Sequence, residues 1–220
     1  MKTILFIVLI LASPFSHAVM LSFDCITDTS LTNCGVGEAN LSVDVTDSDP
    51  VIMVGPNQAL FTFNNNISVM GDDAVITQIY IDDLNSNDND AVLDSIASLI
   101  NGTGVNMSTA GVSPPELPGG NGILDVAEFK VGATNPAPTN GIGFGEDFAI
   151  LFNIAMGFDF ADIVDQLTNG GLLIGFHVQS FPVGDTGSES FVNNPVPLPA
   201  AFWLFGSALV FLGARIKRKA

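Results

Sequence analysis

The sequence predicts a mainly β fold, an antiparallel β-sandwich of jelly-roll-like type with one or two short helices. Three observations predict it. Apolar and polar residues alternate with period two in several runs between residues 19 and 194, the pattern of strands buried on one face. Gly- and Asn-rich turn clusters interrupt those runs at short intervals. No self-similar segment of about 20–50 residues recurs, which sets solenoids and propellers aside.

The elements follow in order. Leu41, Val43 and Val45 alternate with polar neighbours, and Val51 to Val54 is a short apolar run of strand character. Phe61 and Phe63 alternate with Thr62 and Asn64. Val75, Thr77, Ile79 and Ile81 share one strand face, and Ile76, Gln78 and Tyr80 the other. Phe148, Ile150, Phe152 and Ile154 form one face of a further strand, as do Leu172, Ile174, Phe176 and Val178. Gly55-Pro56, Asn64-Asn65-Asn66, Gly71-Asp72-Asp73, Gly119 to Gly122 and Asn169-Gly170-Gly171 supply turns. Two segments carry helical spacing. Residues 91–100 place Leu93, Ile96, Ala97 and Ile100 on one side, and residues 160–167 do so with Phe160, Ile163, Val164 and Leu167, behind Asp159 as N-cap.

Charge divides the chain into three. The 220 residues hold 6 Lys+Arg and 23 Asp+Glu, net −17, with a mean hydropathy of +0.45. Every cation but Lys130 lies near an end, at Lys2 or at Arg215, Lys217, Arg218 and Lys219. Between Val19 and Pro199 one lysine faces all 23 carboxylates, a net of −22. Nucleic acid is excluded as a partner, because phosphate neutralisation needs clustered Lys and Arg.

Residues 1–18 read as a secretory signal. Lys2 gives the positive start, Ile4 to Ala12 an apolar core too short for a span, and Ser16-His17-Ala18 a small-x-small site for signal peptidase. Residues 19–194 are the acidic β-sandwich domain. Residues 195–220 hold Val196-Pro197-Leu198-Pro199-Ala200, an uncharged segment at about 198–214, and the basic tail 215–220. As a helix, residues 198–214 would be about 26 Å long, the short limit for a transmembrane helix. Trp203 fits its interfacial end, and the tail would stay cytoplasmic by the positive-inside rule. Pro197 and Pro199 lack N–H donors and enforce an extended entry just above the bilayer.

A Pro motif, a short apolar helix and a terminal Arg/Lys cluster, in that order, resemble the PEP-CTERM class of sorting signals in its VPLPA variant. The resemblance rests on Val196 to Ala200 and the residues that follow, with Gly206 and Gly213 inside the helix. It implies recognition by an exosortase, a membrane cysteine enzyme that cuts near the motif. It implies a transient membrane anchor, and a mature form at the cell envelope or in the extracellular matrix of a Gram-negative bacterium. Gln78 to Asp83, Pro118 to Asn121, Gly175 to Phe181 and Gly187 to Val192 loosely resemble β-rich domains found upstream of such signals.

Cys25 and Cys34 fall early in an exported chain, so a disulfide is expected between them. Their spacing is not that of a redox or zinc pair. The densest acidic stretch offers Asp82, Asp83, Asn85, Asn87, Asp88, Asp90 and Asp94, oxygen ligands of the kind calcium takes. From Asp83, the residues Asp83, Asn85, Asn87 and Asp94 fall at positions 1, 3, 5 and 12 of an EF-hand-like loop. Asp88 stands where that loop needs Gly, and Asp94 where it needs a bidentate Glu. A solvated acidic loop is the simpler reading. Asn121-Gly122 with Leu124 and Glu128 makes a second half-match, without acids at its early positions.

Beyond the signal, His177 is the one histidine, and the strand pattern turns it away from the core, toward solvent. No G-x-S-x-G or H-E-x-x-H occurs. No catalytic residue is therefore assigned. The sequence reads as a non-enzymatic, exosortase-processed envelope or matrix protein associated with exopolysaccharide or biofilm. The alternative is a calcium-dependent carbohydrate- or surface-binding module. A hydrolase using two carboxylates stands third.

Overall fold

The computed structural model describes residues 18–68, 74–84, 91–110, 112–120, 124, 127–181 and 187–194. Its strands are β1 (Ala18–Leu21), β2 (Phe23–Cys25), β3 (Leu41–Thr46), β4 (Gln58–Asn65), β5 (Val75–Asp83), β6 (Leu93–Asn101), β7 (Met107–Ser108), β8 (Phe129–Ala133), β9 (Phe148–Ile154), β10 (Leu172–Gln179) and β11 (Glu189–Asn193). Helix α1 spans Leu31–Asn40 and α2 spans Phe160–Asn169.

The strands form two antiparallel sheets. The first runs β1-β3-β4-β9-β6 and the second β2-β11-β10-β5-β8-β7. Val43, Val45, Phe61, Phe63, Ile150 and Phe152 of the first face Ile79, Ile81, Ile174, Phe176 and Phe191 of the second in one core, all at most 1% exposed. Aromatic contacts cross the interface: Phe63 meets Phe176 edge-on at 5.7 Å, and Phe129 meets Phe152 at 5.1 Å. Apolar side chains from alternate strand positions thus fill the space between two sheets, which is a β-sandwich.

Three sequence expectations are corrected. The segment 91–100 is no helix but strand β6, paired with β9. Its ladder is irregular between Leu93 and Ser95 and again between Ile96 and Ser98. Each bulge adds a residue, so Leu93, Ile96 and Leu99 recur at spacing three and imitate a helical face. Val51 to Val54 is not a strand. The Asp49 carboxylate accepts the Val51 and Ile52 N–H groups at 2.8 and 2.7 Å, which turns the chain. Ile52 and Val54 then pack with Leu60, Leu151 and Ile100 on the outer face of the first sheet. In β5, a register shift opposite His177 and Val178 places Ile76, not Thr77, in the core with Ile79 and Ile81.

Helix α2 stands where its spacing places it. Asp159 accepts from the Ala161 and Asp162 N–H groups, and Asp162 returns a bond to the Asp159 N–H. Gly170 closes it at φ 82°, a left-handed conformation that favours glycine. Helix α1 has little amphipathic pattern and two internal glycines, so no periodicity announces it. Tertiary contacts hold it instead. Its Cys34 is bonded to Cys25, with Cα atoms 5.3 Å apart, the pairing expected from the sequence.

Residues 1–17 of the expected signal lie outside the described residues, as does the whole segment 195–220. Among the described residues, no helix is long and apolar enough to cross a membrane.

Candidate functional site

Two polar regions stand out against the apolar core. The first is the acidic end of the sandwich. Strand β5 ends in Asp82-Asp83, and pairing of Ile81 with Phe129 brings Glu128, just before β8, beside Asp82. Asp94 follows at the start of β6. Alternation then gives the two aspartates different environments. Asp83 lies on the core side, 0% exposed, and its Oδ2 accepts the Val92 N–H at 2.6 Å. It therefore ties together both ends of the 84–91 connection. Asp82 faces outward and is half-buried.

The electrostatics of this end are those of crowded like charges. Burial raises the Asp82 carboxyl above the usual aspartate range; the Glu128 backbone N–H opposes this, and the Asp83 charge adds to it. Burial also raises Glu128, and the charges of Asp83, Asp82 and Asp94 raise it further. Of the expected calcium ligands, Asp82, Asp83 and Asp94 lie at this end, but Asp83 turns inward and Asp82 outward, and among the described residues no three of these carboxylates come within 4.8 Å of one another. Asn85, Asn87, Asp88 and Asp90 lie outside the described residues. Glu128 joins the group from the second, weaker half-match, through the β5–β8 register. Among the described residues, the group of three whose ligand atoms lie within 4.8 Å of one another is Cys25, Cys34 and Glu189. Its two sulfurs are joined to each other, so it is no metal centre.

The second region is the outer face of the second sheet. His177 does point away from the core, as alternation requires. It is nevertheless only 7% exposed, which corrects the expectation of a solvated histidine. Its sheet neighbours Ser190 and Gln179 stand against the ring, and a loop covers the same face farther along. Leu117, Leu124 and Ala127 lie over Tyr80 and Val192, so this outer face carries a small apolar cluster of its own. Gly175 permits the close approach: a Cβ there would lie 2.5 Å from Leu124 Cδ1 and 2.8 Å from Leu117 Cδ2. The imidazole has Ser190 Oγ 3.3 Å from Nδ1 and Gln179 Nε2 3.4 Å from Nε2. Burial pushes its pKa below the usual histidine value, against the pull of the Glu189 carboxylate. Burial also pushes the Tyr80 hydroxyl up to about 12, helped by Glu116. That hydroxyl has two acceptors within reach of its one proton, the Pro114 carbonyl oxygen at 2.9 Å and Gln78 Oε1 at 3.1 Å.

Glu189 has a structural task that no local signal announces. It is 0% exposed. Its carboxylate accepts from Thr27 Oγ1, from the Thr29 N–H at 3.2 Å and from the Ser30 N–H at 2.8 Å. Ser30 is the N-cap of α1, so a buried anion sits where the helix dipole favours it. The partners lie about 160 residues away in sequence.

No family model matches the chain, and neither curated proteins nor solved structures yield a match.

Proposed function

We propose that this chain is an exported, non-enzymatic protein of the cell envelope or extracellular matrix, processed by signal peptidase and an exosortase and associated with exopolysaccharide. Its body is read as a jelly-roll-like sandwich. The observation that carries this reading is the order of three features at the C-terminus: Val196 to Ala200, seventeen uncharged residues from Leu198 to Ala214, and the Arg215 to Lys219 cations. A disulfide-bonded body with a net charge of −22 supports it, since such charge favours solubility and self-repulsion. The test replaces Pro197 and Pro199 by Ala. A full-length, membrane-retained species is expected, and release equal to wild type would overturn exosortase recognition.

A calcium-dependent binding role is the second reading. What favours it is the crowding of negative charge around Glu128, which the Asp83, Asp82 and Asp94 charges raise and which a divalent cation would screen. Thermal melts at millimolar Ca²⁺ test it: a rise in Tm that Mg²⁺ does not reproduce is expected, and an unchanged Tm would refute it.

A further inference from the structure

The outer face of the second sheet also carries a cleft of about 260 Å³, open to solvent. Thr77, Gln78 and Gln179 line it from the strands, and Ala110, Ser113 and Asn135 from the adjoining loops. Among the described residues that line it, none is charged. Two other clefts each include a carboxylate, Asp94 in one and Glu38 in the other. Three primary amides converge there, and two are held in place. Gln78 Nε2 donates to the Ser113 carbonyl while its Oε1 lies 3.1 Å from the Tyr80 hydroxyl. Gln179 Nε2 rests against His177.

We propose that this cleft binds a neutral hexose unit of a glycan chain. A primary amide offers two N–H donors and a carbonyl acceptor, the set that meets adjacent sugar hydroxyls. The volume corresponds to about nine waters at ~30 Å³ each, room for one hexose ring of about twelve non-hydrogen atoms. A phosphate or uronate would find no cation among the described lining residues and would meet the field of the −22 body. An apolar ligand would leave the amide N–H groups and lone pairs that have no internal partner cut off from water. Because Gln78 and Gln179 are already fixed, little side-chain entropy remains to be lost on binding. Among the described residues no aromatic ring lines the cleft, so single-unit binding is weak, and a polymer gains through repeated engagement of many copies. The proposal rests on the matrix reading and names the ligand chemistry that reading leaves open.

The test is side-chain amide NMR of the full chain in a zwitterionic detergent, since glucoside detergents would compete. Neutral tetramers of glucose, galactose and mannose are the probes, and a hexuronate tetramer is the control. At least one neutral tetramer is expected to shift the Gln78, Asn135 and Gln179 resonances saturably at millimolar concentration, and the uronate is expected not to. Asn135→Ala, at an exposed position, should weaken binding roughly fivefold, the equivalent of one net hydrogen bond. Ala110→Trp on the rim should abolish it. The proposal is overturned if none of the neutral tetramers shifts these resonances, if the uronate binds equally, or if both variants bind like wild type. Loss of binding with normal proline-dependent release would sink this inference alone. Proline-independent release would sink the sorting reading whatever the cleft binds.

Discussion

Helix α1 contains two glycines that differ only in what lies above them, and Gly37→Ala exploits the difference. Ala exceeds Gly in helix propensity by about 1 kcal/mol, so propensity alone makes both Gly35→Ala and Gly37→Ala stabilising. A Cβ at Gly35 meets nothing within 4 Å. A Cβ at Gly37 lies 2.1 Å from Phe191 Cζ and 2.4 Å from Cε1. Ordinary carbon–carbon contacts are about 3.5–4.0 Å, so the ring must retreat by more than about 1 Å. Phe191 is fully buried and packs on Phe181, with ring centroids 6.3 Å apart, so there is no free volume to retreat into. Overpacking of this kind costs about 1–3 kcal/mol, and a rigid ring puts the cost in the upper half of that range. The steric term wins, leaving Gly37→Ala destabilised by about 1–2 kcal/mol after the propensity gain. For a domain of this size that lowers Tm by about 2–8 °C. Urea melts should show a lower midpoint at unchanged slope. Gly35→Ala should move the other way, and Phe191→Leu should recover part of the Gly37→Ala loss. A Gly37→Ala protein as stable as Gly35→Ala would refute the close packing of α1 on β11.

Three other outcomes are expected. His177 has a folded pKa below 6.5, so the stability it gives is present above that pH and is lost as pH falls through the folded value. His177→Gln should therefore gain on wild type in melts taken from pH 7.5 down to 5.5, and parallel curves would contradict the burial argument. Glu128 has a folded pKa raised above 4.5, so its penalty is full at neutral pH and vanishes once pH drops below 4.5. Glu128→Gln should raise Tm at pH 7 and lose that advantage near pH 4; an advantage that persists at pH 4 would point to packing, not charge. Replacing both Cys25 and Cys34 by Ala removes a bridge across a nine-residue separation, worth about 2–3 kcal/mol, and should lower Tm by about 4–12 °C. A Tm within 1 °C of wild type would show that Glu189 and the packing on Phe191 hold α1 without the bridge.

Much of the fold is legible locally because strand faces and turns are local properties. β3, β4, β5, β9 and β10 stand where alternation places them. β6 was obscured because two bulges convert period two into period three. α1 was obscured because its N-cap serine lacks a Glu or Gln three residues on, and its stability comes from Glu189 and a disulfide rather than from its own pattern. At the acidic end, the run from Asp82 to Asp94 is visible to the eye. Glu128 enters it only through the pairing of Ile81 with Phe129.

The sequence by itself determined the charge layout, the apolar ends around an acidic body, the Val196 to Ala200 motif, and the two-sheet class through alternation and turns. These are properties of composition and near neighbours. Only the tertiary structure decided which outward-facing residues meet water. His177 and Tyr80 point away from the core as alternation requires, yet both end up buried. For Tyr80 the reason is packing at long range: a loop about fifty residues before β10 lays Leu117 and Leu124 over it, against Gly175, where a glycine leaves room for them, while His177 is closed in by Ser190 and Gln179. Alternation assigns a side chain to a face, and the chain that later covers that face decides whether it is surface.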